Sequence, residues 1–500
     1  MKQNSLSKNK LTALFLALLL CAPVFASCGS EISPAETVGE AAGSAAAEPA
    51  AEPETEEKTS YTADYLPDVA YDGYEYRIIE YNEYPLHREE ATGSVIDDAI
   101  YERNLLAEEK FDINITATQY PYANWSEVGS LLKQAGMAQT DDYDLYFVVF
   151  SDAYSALTEG AVPPASSLPY TDTSQPWYYH AINEGMNING IMLMAYTAFD
   201  KNPGGKCLVF NQAIFDDIGE EYPYQMVDNG TWTYDQFYAL IEKAAMDLDG
   251  DGKVSEADQF GFITSTDDYT DFTYYGSGLK LVDFSESEPV INQNEQLFDM
   301  FLKSSEYLGK DYVVLDVYGF VGWDGASQDK GVNVFTAGNA MFAQTNISNL
   351  VRLGDMEDDY GIVPYPKWTE SQSQYYCGMD GSRISVPCTA SADLERVCII
   401  KEYLSVESLN INYPAYYEVS LKNRYVRDQD SIRMMEIVTN GTTYDVGAAM
   451  DYTGVRGPWM TCLENRDSAF ASAVSANLTR AQAVLKKLNR NIDKLKELYP

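Results

Sequence analysis

The chain has 500 residues, 45% of them hydrophobic, and a formal net charge of −42. A surface this acidic repels phosphate backbones and anionic lipid heads, so nucleic acid and direct membrane-surface binding are disfavoured. The length and apolar content suit two or more domains of ordinary size.

Residues 1–27 read as an export signal. Lys2, Lys8 and Lys10 form a charged start, Leu11 to Leu20 is nearly unbroken apolar sequence, and Phe25-Ala26-Ser27-Cys28 closes the segment. The apolar stretch is shorter than the roughly 20 residues of a spanning helix, which favours cleavage over retention. Two small residues before a cysteine resemble the bacterial lipobox, with Phe25 where Leu is usual. On that reading Cys28 is lipidated and holds the protein to the outer face of the cell membrane; an uncleaved anchor or a cut nearby is the alternative. Residues 28–60 are rich in Ala, Glu and Pro, with no aromatic residue before Tyr61. Such a segment buries too little apolar surface to offset its ordering entropy and is expected to be a disordered tether.

From Tyr61 onward β and α signals alternate. Tyr74 to Tyr81 reads as a strand, and apolar residues from Ile96 to Ala107 recur at helical spacing behind Ser94, a candidate cap. Ile113, Ile115 and Ala117 alternate as in a strand, Trp125 to Met137 fits a helix, and Leu145 to Phe150 is one apolar run. This order predicts βαβ units and a parallel sheet covered on both faces. Further on, a strand is expected at Leu208 to Phe210 and a helix after Thr233, whose spacing to Gln236 fits a capping box. Helices are also expected at Glu295 to Leu308 and Ile347 to Met356, a short buried strand at Tyr360 to Val363, and a docked terminal helix from Leu478.

Asp247-Leu-Asp249-Gly-Asp251-Gly252-Lys253-Val-Ser255-Glu-Ala-Asp258 is the most specific motif in the folded part. It matches a twelve-residue calcium loop in which Asp247, Asp249, Asp251 and Asp258 supply carboxylate oxygens, Lys253 its carbonyl, and Ser255 a contact through water. Asp258 stands where a longer Glu is usual. A structural Ca2+ is the expected ion, and a solvated acidic turn is the plainer alternative. Catalytic chemistry finds little support: the two histidines, His87 and His180, have no metal spacing, and Ser327-Gln-Asp-Lys330 lacks the K-T-G that would accompany an acyl-enzyme serine. Cys207, Cys377, Cys388, Cys398 and Cys462 read as small buried hydrophobes, with one bridge among Cys377, Cys388 and Cys398 left open.

The 39 tyrosines and six tryptophans are the conspicuous bias. Aromatic faces suit sugar C–H groups, and the loop candidates for ligand contact are Glu83, Tyr84, Trp177, Tyr178, Trp323, Asp324 and Trp459, each also a candidate for ordinary packing.

Taken in order, Gly93-Ser-Val-Ile-Asp-Asp-Ala-Ile-Tyr-Glu-Arg-Asn104, Leu168-Pro-Tyr-Thr-Asp172 with Pro176-Trp177, Gly230-Thr-Trp-Thr-Tyr-Asp-Gln-Phe237, Gly361-Ile-Val-Pro-Tyr-Pro366 and Pro414-Ala-Tyr-Tyr-Glu-Val-Ser-Leu-Lys422 resemble extracellular solute-binding proteins, family 1, of bacterial ABC importers. The resemblance implies an α/β, two-lobe periplasmic-binding-protein-like fold of type II-like form, with hinge segments crossing near Ala195, Tyr365 and Asn412. It places residues 61–196 and 364–410 in the amino-terminal lobe, and 197–363 and 411–500 in the carboxy-terminal lobe. It also implies a non-enzymatic role: capture of a small solute, a sugar or oligosaccharide, and its delivery to ABC transporter permease subunits. A secreted calcium-containing carbohydrate-active enzyme and a surface adhesion module are the alternatives.

Overall fold

The computed structural model describes residues 60–200, 204–284, 288–317, 326–379, 383–388, 394–417 and 426–499. Cys28 and nearly all of the expected tether lie outside them. The first described elements follow the periodicity closely: β1 (Tyr74–Tyr81), α1 (Val95–Phe111), β2 (Ile113–Tyr120), α2 (Trp125–Ala138), β3 (Leu145–Val149) and α3 (Phe150–Thr158). Ser94 caps α1 by accepting from the Asp97 amide, and Asp112 ends it in the left-handed region at φ 50°. The apolar run at Leu145 divides at Phe150, which opens α3 instead of ending the strand. A run covered on every side carries no period that would separate strand from helix.

The second set comprises β4 (Lys206–Asn211), α4 (Tyr234–Ala244), β5 (Phe260–Thr264), α5 (Thr266–Gly276), α6 (Glu295–Leu308), β6 (Val314–Asp316), β7 (Ala340–Asn346) and β8 (Tyr360–Val363). Thr233 precedes α4 but makes no side-chain cap. The Tyr234 amide, the first of the helix, donates to the Lys367 carbonyl at 3.0 Å, so a neighbouring segment satisfies one of the free donors at the helix start. Residues Ile347–Leu353 wind as a 3-10 helix, where the sequence suggested an α-helix reaching Met356. The chain then continues through β9 (Arg383–Pro387), α7 (Leu394–Glu407), α8 (Gln429–Gly441), α9 (Arg456–Glu464) and α10 (Phe470–Leu498).

Two mixed sheets organise these elements. The first has the order β9-β3-β1-β2, with β1 parallel to β2 and β3, and β9 antiparallel to β3. The second runs β6-β5-β7-β4-β8, with β5 parallel to β6 and β7, and β4 antiparallel to β7 and β8. The expected all-parallel pairing is thus interrupted in each sheet by strands on which the chain enters or returns. Each sheet has its own apolar core: Ile78, Leu132 and Val148 belong to the first, Phe210, Phe237 and Phe342 to the second. Among the described residues no helix is long and apolar enough to cross a membrane. Cys207, Cys377, Cys388, Cys398 and Cys462 are buried and free, which leaves no bridge among them.

Helix α10 divides its buried face between the cores. Phe470 and Val474 pack into the second, whereas Leu485, Leu488, Ile492 and Leu495 pack into the first. The sequence reading had placed this entire tail with the second lobe. Ile492 is fully buried, so Ile492→Ala should cost about 2–5 kcal/mol in urea unfolding.

The amino-terminal end of the folded part is clasped to the same body. The Tyr61 amide donates to Asn410 Oδ1 and Asn410 Nδ2 donates to the Tyr61 carbonyl, both at 2.9 Å. Nearby, the buried carboxylate of Glu402 accepts from Trp177 Nε1 at 2.9 Å and from the hydroxyls of Tyr65 and Tyr178. Burial raises the Glu402 pKa, and the donated bonds from Tyr178, Tyr65 and Trp177 only partly oppose it. A carboxyl raised on folding contributes stability that is complete below its unfolded pKa and lost as pH rises through the folded one. The unfolding free energy of wild type minus that of Glu402→Gln should therefore fall as pH rises from the ordinary value of 4.5, then level off above the folded pKa. Urea titrations across that range measure the difference.

Candidate functional site

The parallel strands of each sheet leave a cavity outside their carboxyl ends, the usual ligand position in α/β sheets. The first cavity, of about 460 Å³, lies beyond β1 and β3, against the start of α1. Glu83 and Tyr84 enter it from the turn after β1, Phe199 and Asp200 from the end of the first segment, Arg383 from β9, and Asn412 from the π-turn that follows α7. The pairing of Arg383 with Val149 puts the arginine at the carboxyl end of β3.

Tyr84 and Arg383 form the wall. The guanidinium carbon lies 3.3 Å from the Tyr84 ring centroid and 5.3 Å from that of Tyr122, and the two tyrosines meet edge to face. Glu83 Oε2 accepts the Tyr122 amide at 2.9 Å, which ties the turn to the following segment. Deeper, Asp200 accepts from the amide and hydroxyl of Ser385 and from those of Thr197. Arg103 is buried against Phe199 and donates to the Leu86 carbonyl, Asn104 Oδ1 and Ser408 Oγ. Its burial without a bonded carboxylate pulls the guanidinium pKa down to about 9, with the Glu80 charge opposing the shift.

The second cavity, about 260 Å³, opens beyond β5 and β7 and presents Thr264, Ser265, Asp268, Gln344 and Asn346. Lys206 at the start of β4 places Nζ 3.0 Å from both Asp268 and Asp271, and Arg456 bonds to Asp267 and Asp271. Burial works against the Lys206 charge, but the Asp268 and Asp271 carboxylates more than reverse it and hold the amine well above its ordinary pKa. Asp200 of the first cavity and Lys206 of the second are six residues apart in sequence, so their backbones lie within about 21 Å. The bridge between Gly205 and Met379 pairs this crossing segment with the one that returns towards Arg383.

The sequence candidates thus separate. Glu83 and Tyr84 line the first cavity. Trp177 and Tyr178 do not offer ring faces to solvent: they are 1% and 3% exposed and are spent on Glu402. Trp459 is likewise corrected to a core residue, 1% exposed and packed edge-on against Phe301 and Phe470. Aromatic type and a neighbouring proline do not distinguish a platform from a plug. Trp323 and Asp324 lie outside the described residues. Arg383 and Asp200 are not singled out by the sequence reading, Asn412 enters it only as a hinge crossing, and Arg103 falls within the stretch that carries the family resemblance.

The acidic loop folds as a tight turn with Gly250 and Gly252 at φ 71° and 72°, where a side chain would be strained. Asp247, Asp249 and the buried Asp258 bring carboxylate oxygens within 4.8 Å of one another. Asp251 is not part of that group; Lys253 Nζ lies 3.7 Å from its carboxylate. Asp247 accepts the amides of Gly250 and Gly252, and Asp258 those of Leu248 and Ser255. Three hard oxygen donors so placed fit a calcium ion by chemistry.

No sequence-family profile matches the chain, and no curated protein matches it by sequence. Its fold is similar to solved structures. The galacto-N-biose-/lacto-N-biose I-binding protein of the ABC transporter from Bifidobacterium longum, in complex with lacto-N-biose, aligns with a TM-score of 0.57 at 14% identity, covering 83% of this chain and 98% of that one. M. tuberculosis UspC gives 0.56 at 14%, covering 82% and 100%. A cyclo/maltodextrin-binding protein complexed with maltotetraose gives 0.55 at 12%, covering 85% and 96%. The chain has the α/β, two-lobe, periplasmic-binding-protein-like fold.

Proposed function

We propose that this protein is the solute-binding component of an ABC importer, lipid-anchored through Cys28, which captures a sugar or oligosaccharide between its lobes and delivers it to permease subunits. The observation that carries the reading is the pair of cavities, each outside the carboxyl ends of one sheet's parallel strands and adjoining the segment that links the sheets. The neighbouring structures include a lacto-N-biose complex and a maltotetraose complex, which supports a carbohydrate as the ligand. The role is capture and not turnover.

A ligand touching both lobes stabilises a closed form through the contacts available only there. On this reading Glu83 and Tyr84 supply contacts from the first lobe. Trp323 and Asp324, which lie outside the described residues, are the sequence candidates for contacts from the second lobe. Titration calorimetry against mono- and oligosaccharides should find a ligand, and small-angle scattering should show a smaller radius of gyration with it. Trp323→Ala should weaken that binding by about 1–3 kcal/mol without changing the melting temperature of the ligand-free protein. A bound sugar with an unchanged scattering curve would reject closure.

A structural calcium ion belongs to the same proposal, held by Asp247, Asp249 and Asp258, with Asp251 and the Lys253 carbonyl as the further ligands expected from the loop pattern. The ion would neutralise crowded carboxylates in a loop remote from solute chemistry. Free calcium at 100 times its dissociation constant should stabilise the fold by about 2.7 kcal/mol. Melting with calcium and with a chelator tests this, and identical curves with no heat of calcium binding would remove the ion.

A further inference from the structure

We propose that the solute of the first cavity carries a carboxylate, received by Arg383: a sugar acid or an oligosaccharide containing one. The inference rests on the solute-binding reading and narrows its ligand class. Arg383 is only 8% exposed and lines the cavity beside Tyr84 and Asn412. The ring of Tyr84 satisfies one face of its guanidinium, but the five N–H donors project from the edges of that plane. Among the described residues those edges meet no hydrogen-bond acceptor and no carboxylate.

Arg103 and Arg456 differ in this respect. Arg103 donates to a carbonyl, an amide oxygen and a hydroxyl, and Arg456 bonds to two aspartates. The carboxylates around the cavity are also committed elsewhere: Asp97 to Arg88, Asp200 to Ser385 and Thr197, and Glu83 to the Tyr122 amide. Leaving a guanidinium enclosed without an acceptor is costly, and removing that cost is available to any ligand that supplies one.

A carboxylate is the best match because it meets an arginine edge with two parallel, charge-assisted bonds in one plane. Stacking on Tyr84 fixes that plane in advance. Beside it, Asn412 Oδ1 is buried and, among the described residues, without a partner, an acceptor that a ring hydroxyl would satisfy. Donor fork and lone acceptor together describe a polyhydroxylated acid. The formal charge of −42 repels anions at long range, so this attraction acts at short range, where salt screens an enclosed pair less.

Calorimetry on the full-length protein would compare D-galacturonate and D-glucuronate, and their di- and trimers, with the corresponding neutral hexoses and with sulfated hexoses. Wild type, Arg383→Gln and Arg383→Lys would be used, with melting of each ligand-free protein. Uronates should bind roughly 10- to 100-fold more tightly than their neutral counterparts, and Arg383→Gln should erase that preference. Arg383→Lys, which keeps the charge and loses the fork, should retain part of it. Ligand-free Arg383→Gln should still fold, since no hydrogen bond or ion pair among the described residues is lost with the guanidinium. If it does not fold, the uronate-to-neutral ratio of wild type and of Arg383→Lys decides the matter, and equal ratios overturn the role of the fork. Neutral or sulfated sugars binding as tightly as uronates would overturn the inference while leaving carbohydrate capture intact. Binding of none of these sugars would overturn both.

Discussion

A chain that builds two sheets in one body must cross between them, and the site depends on how it returns. Strand β9 enters the first sheet antiparallel to β3, after the second sheet is complete. That single ladder places a residue from late in the sequence at the carboxyl end of a strand made early. Without it, the first cavity would keep its turn after β1 and lose its wall. The antiparallel direction also matters. A parallel return would bring the other end of the strand, and a different side chain, to the same edge.

Much of the first sheet was legible because its signals are local. The strand at Tyr74 and the helix at Val95 follow from periodicity and a capping serine, and the five cysteines follow from their isolation. What escaped the sequence is what depends on distant partners. Thr233 has the spacing of a capping residue but makes no side-chain cap, while the distant Lys367 carbonyl takes the Tyr234 amide. Trp177 has the setting of a sugar platform, but Glu402 lies across the fold to receive its indole N–H. Arg383 sits in an unremarkable stretch, and only the pairing with β3 gives it a position. A side chain's role in this protein is set by what the crossing segments bring to it, which composition does not record.

Three enclosed charges show a common pattern. Glu80 accepts the Leu86 and His87 amides and the Gln119 side chain, Glu402 takes an indole and two phenols, and Lys206 lies between two aspartates. Each enclosed charge is thereby surrounded by fixed dipoles or a counter-ion, as low polarity demands. These networks lie at junctions. Lys206 and Arg456 bind α5 to β4 and α9, and Glu402 joins α7 to the segments at Tyr65 and Trp177. They confer alignment more than net stability, because desolvation offsets much of their attraction.

The division of α10 between the two cores has a consequence for the order in which the protein can be made. A polypeptide emerges amino end first, and the strands of the second sheet all precede the residues that finish the first. The first core therefore waits, with β1, β2 and β3 already out, for β9 and finally for Leu485 to Leu495. Helices α1, α2 and α3 already cover much of that sheet, and the part of the core that Leu485 to Leu495 close stays open until they appear. The late helix acts as a latch, contributing Phe470 and Val474 to one core and Leu485 to Leu495 to the other.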